Sequence, residues 1–384
     1  MLAIQKFLRS HNPKSAVRHA EEMFGLKSVE QDDLVLFNYS MIDSKRGVQE
    51  VEECRGLILE RPSWNVVAMP FYRFYNADER PYAYSFNNWD PNTVSGSILW
   101  EKRDGTLITL YHYKDQWRVA TRGRPYADGS VGDHNSTFHE LFWETWRTYG
   151  GDLTNLPKDV CYMFELTGPC NRVVTPYEKN ELRILSARVI DNKRSEYTEA
   201  PLSVVATYGK SFMNIEMPKT YTFKSVDHIK NQLNTIGGLD EGFVLMNPNE
   251  YIKPVGECKT KSYPRVKIKN PSYLNAARLI GNGFSEKKAL EMVLTGPHKV
   301  DTFTHFFPEY EGVVKRVGDR VTVICDDIEN TFNKIKHLTT RKEFAEAAKQ
   351  HCAPWVLFRL LDSPDKYVFE LLSDAGVDRV FPLI

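Results

Sequence analysis

Between Leu34 and about Ile268 the chain is cut into short apolar runs, each closed off by Gly, Pro, Asn or Asp. LVLFNY, RGLILE, VVAMPFYRFY, TLITLYHY, QWRVATRG, CYMFELTG, LRILSARVI and EGFVLM are the clearest. Runs of this length and texture read as strands of mostly antiparallel sheets. FHELFWETWRTYG, inside the same region, reads as a buried helix. Upstream, Pro13 follows Asn12 as a first helical residue, Val17, Ala20 and Phe24 recur at helical spacing, and Gly25 can end the helix. Downstream of RVKIKNPSY the texture turns helical: SYLNAARLIG, SEKKALEMVL, TRKEFAEAAKQH and SPDKYVFELLSDAG. Thr340 with Glu343 makes a capping box, and Ser363-Pro364 reads as a cap followed by a first helical proline. EGVVKRVGDRVTVICDD interrupts this region and reads as a hairpin. The expected organisation is α+β: a domain of antiparallel sheets with flanking helices over residues 1–271, then a mainly helical domain over residues 272–384.

Charge excludes one class of function. Lys+Arg and Asp+Glu are both 50, so the formal net charge is zero, which argues against binding nucleic acid by bulk charge. A local basic groove is still open, because steering depends on how charge is distributed. Charged residues at 26% and hydrophobic residues at 42% fit a globular protein. No run of about eighteen apolar residues occurs, and the N-terminus lacks the apolar stretch of a signal peptide. Cys54, Cys161, Cys170, Cys258, Cys325 and Cys352 are scattered without a CxxC pair, so they read as reduced thiols in a cytoplasmic protein.

The common phosphate motifs are missing. Tyr208–Ser211, YGKS, resembles the end of a P-loop, but position 204 is Val where the first glycine would stand, and there is no GxGxxG. Attention falls instead on EKRDG, residues 101–105. Lys-x-Asp-Gly arises by chance about once in ten chains of this length, and alone it describes a solvated turn. Its companions in order give it weight: Arg55-Gly56 in EECRGLILE, Glu165 in YMFELTGPCNRVV, Glu241-Gly242 in LDEGFVLM, and Lys267 and Lys269 in RVKIKN.

Alternation shows what those residues could do. In CYMFELTG, Tyr162, Phe164 and Leu166 share one face while Met163, Glu165 and Thr167 share the other. In RVKIKN, Val266 and Ile268 face a core, so Lys267 and Lys269 lie together on the opposite face. Two cations on one strand face repel unless an anion lies between them, and phosphate is the natural anion. The Arg55 fork suits two phosphate oxygens. If Lys102 is a nucleophile its pKa must fall, since only about one free lysine in 2,500 is neutral at pH 7. Were Arg55, Lys267, Lys269 or a divalent metal to lie beside it, each would disfavour a second positive charge there. Gly105 is expected to permit a positive φ in the turn.

This ordered set resembles the covalent nucleotidyltransferases, which include ATP-dependent RNA ligases, DNA ligases and capping guanylyltransferases. EKRDG is similar to their motif I, YMFELTG to motif III, LDEGFVLM to motif IV and RVKIK to motif V. The resemblance is greatest to bacteriophage RNA ligases of the tRNA-repair type, and it covers roughly residues 30 to 275. It implies a nucleotidyltransferase (ATP-grasp-like) fold followed by a helical C-terminal domain. It implies that Lys102 takes AMP from ATP, that Glu165 accepts from the ribose hydroxyls, and that Glu241 organises Mg²⁺ or Mn²⁺. Lys267 and Lys269 would contact the α-phosphate, and Arg55 and Arg73 the nucleotide; related phage ligases carry lysine where Arg73 stands. Asp104 would fix the turn, Arg122 would face RNA, and Tyr273 would support the site. Phe37 and Tyr39 stand where the family places tyrosines near the nucleotide, although Phe37 cannot donate a hydrogen bond.

The implied substrates are a 5′-phosphate RNA end, a 3′-hydroxyl RNA end and ATP, with broken tRNA as a candidate RNA. A polynucleotide kinase-phosphatase is the implied functional partner, and the expected form is a monomer in the (host) cytoplasm. A DNA ligase, a capping enzyme, or a nucleotide- or RNA-binding protein without catalysis are the alternatives. The first two usually continue into an OB-fold, whereas helices follow here.

Overall fold

The structure, a computed structural model, describes residues 1–77, 79, 96–132, 135–252, 260–281 and 283–384. Cys258 lies outside the described residues; Cys54, Cys161, Cys170, Cys325 and Cys352 are free thiols. No helix among the described residues is long and apolar enough to cross a membrane.

Strands β1 (Leu26–Gln31), β2 (Leu34–Tyr39), β3 (Arg55–Glu60) and β4 (Asn65–Ala68) form the first antiparallel sheet in sequence order. Next in the chain come β5 (Ile98–Glu101), β6 (Thr106–Tyr113), β7 (Gln116–Thr121), β8 (Val160–Thr167), β9 (Glu181–Asp191) and β10 (Glu196–Glu199). β11 (Thr220–Tyr221), β12 (Gly242–Met246) and β13 (Arg265–Lys269) complete the set. The second sheet has the order β10-β9-β8-β6-β7 and the third the order β11-β5-β12-β13. Every pairing between these strands is antiparallel.

Period-two burial explains the layering. On the second sheet Ile108, Leu110, Tyr162, Phe164 and Ile184 pack against helix Phe138–Tyr149 through Leu141, Phe142 and Trp146. The helix starts at a Thr137–Glu140 capping box and ends at Gly150 in the left-handed region (φ 64°). The opposite face contributes Tyr111, Cys161 and Met163 to a core shared with Leu34, Leu36 and Ile58 of the first sheet. The first sheet's other face is covered by helices Ala3–Arg9 and Ala16–Phe24. On the third sheet Leu99, Phe243, Leu245, Val266 and Ile268 bury against Ile229 and Leu233 of helix Val226–Leu233, which leaves Lys102, Val244, Lys267 and Lys269 on the front.

One buried carboxylate fastens the second and third sheets together. Glu199, fully buried at the end of β10, takes Arg265 at the start of β13 on both oxygens, and also accepts from Ser186 Oγ (2.6 Å) and Tyr263 N (3.1 Å). Arg188 of β9, also fully buried, lies 3.8 Å from Glu199 and donates to the carbonyls of Met69, Pro70, Tyr197 and Lys261.

Several local expectations change. VVAMPFYRFY is strand only as far as Ala68; from Met69 to Tyr75 it is irregular, with Arg73 N bonded to Glu52 O. Pro13 lies in a turn begun by Asn12, and the helix starts at Ala16, because Ser15 and Ala16 donate back to the Asn12 carbonyl. Ser363 closes helix Pro354–Asp362 and does not cap the following one, which starts at Val368. The expected hairpin is part of a 25-residue helix, Glu311–Ile335. Its β-branched residues suggested strand, but Val314, Val317, Val321, Ile324 and Ile328 are buried at steps of three and four, which is helical period. Thr340 and Glu343 do form a capping box.

The chain divides into two compact units, residues 1–274 and 275–384. The first holds all three sheets, while the second is made of helices packed on Glu311–Ile335.

Breaking a buried ion pair from one side strands the other charge at a cost of about 3–5 kcal/mol. Glu199→Gln is therefore expected to lower stability by about 3 kcal/mol or more. Urea unfolding followed by tryptophan fluorescence should show the fall in midpoint, and an unchanged midpoint would remove Glu199 as the fastening between sheets.

Candidate active site

Lys102 follows directly after β5, and its N–H bonds the Gly242 carbonyl (2.9 Å), so the turn that carries it is fixed to the entry of β12. Its Nζ is 2.6 Å from Glu241 Oε2, and the other oxygen of Glu241 takes Lys269 Nζ at 2.8 Å. Glu241 is only 5% exposed. Burial pushes its carboxyl up, but the two lysines outweigh that and hold it below the ordinary value. For Lys102, burial acts downward and is outweighed by Glu241 and Glu165, so its ammonium sits above the ordinary lysine value. This differs from the lowered value expected from the sequence: Lys102 is held charged.

The depressed lysine is Lys267. Burial, then Arg55, Lys102 and Lys269, bring it down to about 7. Its Nζ lies 4.8 Å from the centre of the Phe74 ring. It is not on a solvated edge, because residues 75–77 pair with β13 through Lys267 N to Tyr75 O and Ala77 N to Lys267 O.

Asp104 is buried and gripped at both ends. Its Oδ2 accepts from Val174 N (2.7 Å) and Thr175 N (2.8 Å), and its Oδ1 from the Tyr273 hydroxyl (2.7 Å). Tyr273 is thus drawn to the site, and its ring also lies 5.3 Å from Lys269 Nζ. Gly105 serves close approach and not a positive φ: a Cβ there would stand 2.2 Å from the Leu166 carbonyl oxygen. Glu165, on the central strand β8, accepts from Gly105 N (3.1 Å), and burial lifts its carboxyl to about 7.

Arginines border the same region. Arg55 stands over Phe74 (5.3 Å) and Phe71 (5.9 Å), and its buried Nε and Nη1 have no hydrogen-bond partner among the described residues. Gly56 has φ +81° and lets this strand approach Arg122, whose Cα would meet a Cβ at 3.3 Å. Arg73, 3% exposed, stacks on Tyr39 (4.1 Å) and Tyr75 (5.1 Å), with a buried Nη1 that lacks a partner among the described residues. Arg122 lies 5.7 Å from Tyr39. Phe37 is fully buried in the first sheet's helix-facing core and has no place in the site.

Three features of the site were not expected from the sequence. The Tyr75 hydroxyl bonds Glu52, which also accepts from Gly47 N. Arg103 is held between Glu181 (2.7 Å), Thr167 (3.0 Å) and the Tyr177 ring (4.3 Å). A cavity of about 80 Å³ opens beside the third sheet's front, walled by Phe71, Phe74, Trp100, Leu185, Met217 and Val244, with Arg265 at its rim. Only the alternation that puts Trp100 and Val244 on the Lys267 side of the sheet signals it in the sequence.

Among the described residues, buried Arg55 donors beside Lys267 have no partner, which suits an oligoanion such as a nucleotide phosphate. Glu241 supplies one buried carboxylate, which suits a cation that keeps most of its shell from water and phosphate, as Mg²⁺ does.

The family model described as RNA ligase matches residues 53–273, more than half of the chain. An RNA ligase of Rhodothermus phage RM378 is 25% identical over 395 residues, covering 93% of this chain and 88% of that protein. A protein of Autographa californica nuclear polyhedrosis virus, named as a bifunctional polynucleotide kinase/RNA ligase, is 29% identical over 324 residues. That alignment covers 80% of this chain but only 42% of the viral protein, so the chain spans less than half its length. Among solved structures, an archaeal ATP-dependent RNA ligase aligns at a TM-score of 0.43 and 12% identity, over 94% of this chain and 90% of that one. The matched stretch runs from just before Arg55 to Tyr273 and takes in every motif of the site: the chain belongs to the RNA ligase family.

Proposed function

We propose that the chain seals RNA ends with ATP through an adenylylated Lys102. The observation that supports this most directly is the convergence of Lys102, Glu241, Lys267 and Lys269 on one face of the third sheet, opposite Glu165.

In the first transfer Lys102 Nζ, having given up a proton, attacks the α-phosphorus of ATP. A nitrogen–phosphorus bond forms, and the bond to the bridging α,β oxygen breaks with its electron pair leaving on pyrophosphate. The 5′-phosphate of an RNA end then displaces Lys102, taking AMP and returning the amine. Finally the 3′-hydroxyl of the other end attacks the 5′-phosphate and expels AMP. Lys267 and Lys269 hold the α-phosphate and spread its developing charge. Glu165 accepts from the ribose, Arg55 and Arg73 take phosphate oxygens, and the cavity beside Trp100 receives the base. Glu241 would hold Mg²⁺ or Mn²⁺, which neutralises charge on the transferring phosphate. With Glu241 engaged by a cation, Lys102 would no longer have the full counter-charge that holds its proton.

Catalysis belongs to the first unit, and the second unit selects the RNA, with Arg122 on the substrate side. The viral relative's name pairs ligase with kinase, which supports an end-healing enzyme acting before this one.

Lys102→Ala is expected to abolish the AMP adduct seen with labelled ATP on a denaturing gel, and Lys102→Arg to fail as well, because a guanidinium is never neutral. An adduct of normal yield in either variant would remove Lys102 from the mechanism.

Lys267 gives a pH-dependent expectation. Its folded value of about 7 is below the ordinary 10.5, so between those values the unfolded chain binds a proton that the folded chain does not. Stability from this group is therefore complete above 10.5 and lost as pH falls to about 7. Lys267→Met should melt several degrees higher than the parent at pH 6.5, with the gap closing towards pH 10, while its adenylylation slows at least about tenfold, or 1.4 kcal/mol. Equal melting at both pH values would show that Lys267 is solvated.

A further inference from the structure

We propose that Tyr177, which lies outside every motif of the family resemblance, is a positioning residue for the attack of Lys102; this rests on the ligase reading above. Three N–H groups fix the turn that presents the nucleophile: Lys102 N bonds Gly242 O (2.9 Å), Asp104 N bonds the Tyr177 hydroxyl (3.0 Å), and Gly105 N bonds Glu165 (3.1 Å). The middle anchor is the one made by a side chain from an irregular segment.

That segment, residues 174–177, holds Asp104 from both ends. Val174 N and Thr175 N donate to its carboxylate, while Tyr177 accepts from its backbone N–H. Thr175 Oγ1 also donates to Leu239 O (2.7 Å), two residues before Glu241. One short stretch thus sets the spacing between the Lys102 turn and the carboxylate that faces Lys102. The Tyr177 ring is itself held by the Arg103 guanidinium at 4.3 Å, and Arg103 is fastened to Glu181 and Thr167. Removing the hydroxyl leaves the Asp104 N–H without its partner and lets the peptide between residues 102 and 104 tilt. In-line attack tolerates little of this, since a displacement of about 1 Å can cost about a hundredfold.

A positioning role acts on the steps that use Lys102 and spares the step that does not. Sealing of an RNA whose 5′ end already carries AMP bypasses the lysine. The experiment takes the full chain, wild type and Tyr177→Phe, and measures single-turnover adenylylation over a range of ATP concentrations. Alongside, it measures sealing of a chemically pre-adenylylated strand. Tyr177→Phe should adenylylate at least about tenfold more slowly, with half-saturating ATP and sealing of the pre-adenylylated strand each within about twofold of wild type. An unchanged adenylylation rate overturns the proposal, as does an equal loss in both reactions, which would mark a merely structural tyrosine. If Tyr177→Phe does not fold, Arg103→Met decides: a loss confined to adenylylation supports the clamp, and no loss overturns it. Wild-type protein that takes no label from ATP would overturn the ligase reading itself, and is thereby distinguishable from labelled wild type with an unaffected variant.

Discussion

The ion pair of Glu199 with Arg265 joins the two sheets that carry the candidate site. Glu199 is a carboxylate with no exposed surface, and it joins β10 to the first residue of β13 through Arg265, with Arg188 of β9 alongside. Burial works against its charge, but the two arginines and Ser186 outweigh that and hold it ionised. Charged groups this deep persist when every lone pair and proton has a partner, and here Tyr263 N and four backbone carbonyls supply the rest. The consequence is positional. Lys267 lies two residues beyond Arg265 on the same face, so the junction that closes the sheets also sets how far Lys267 stands from Glu165 and Arg55.

Within that frame two lysines have opposite fates. Lys102 lies against Glu241 and is held charged; Lys267 lies against an aromatic ring and among cations, and is brought near neutrality. The sequence argument assigned the lowered pKa to Lys102 because the nearby cations could be counted, but the distance to Glu241 could not. At 2.6 Å Glu241, with Glu165 beyond it, outweighs the burial that acts against the charge.

What could be read in advance was periodic or ordered. Apolar runs closed by turn residues located β6, β8 and β12, and alternation located β13 and put Glu165, Lys267 and Lys269 on the faces where they are found. The order of the motifs brought together residues as far apart as Arg55 and Tyr273. What could not be read depended on contact. Gly105 is needed because the Leu166 carbonyl is there, not because of its own φ. Tyr177 carries no periodic signal, and its importance exists only through the Asp104 N–H. The helix Glu311–Ile335 was misread because its valines favour strand, while the positions that bury follow the helical step.

The clasp of Glu241 on Lys102 also bears on chemical durability. A neutral amine in a partly open pocket would react with aldehydes, carbon dioxide and activated acyl compounds that every cell contains, and each such event would end the life of one enzyme molecule. An ammonium held at 2.6 Å by a carboxylate offers no lone pair to any of them. On the proposed reaction, the amine becomes reactive only once Glu241 is engaged elsewhere. Idle molecules are thereby protected from attrition by the same contact that keeps them inactive.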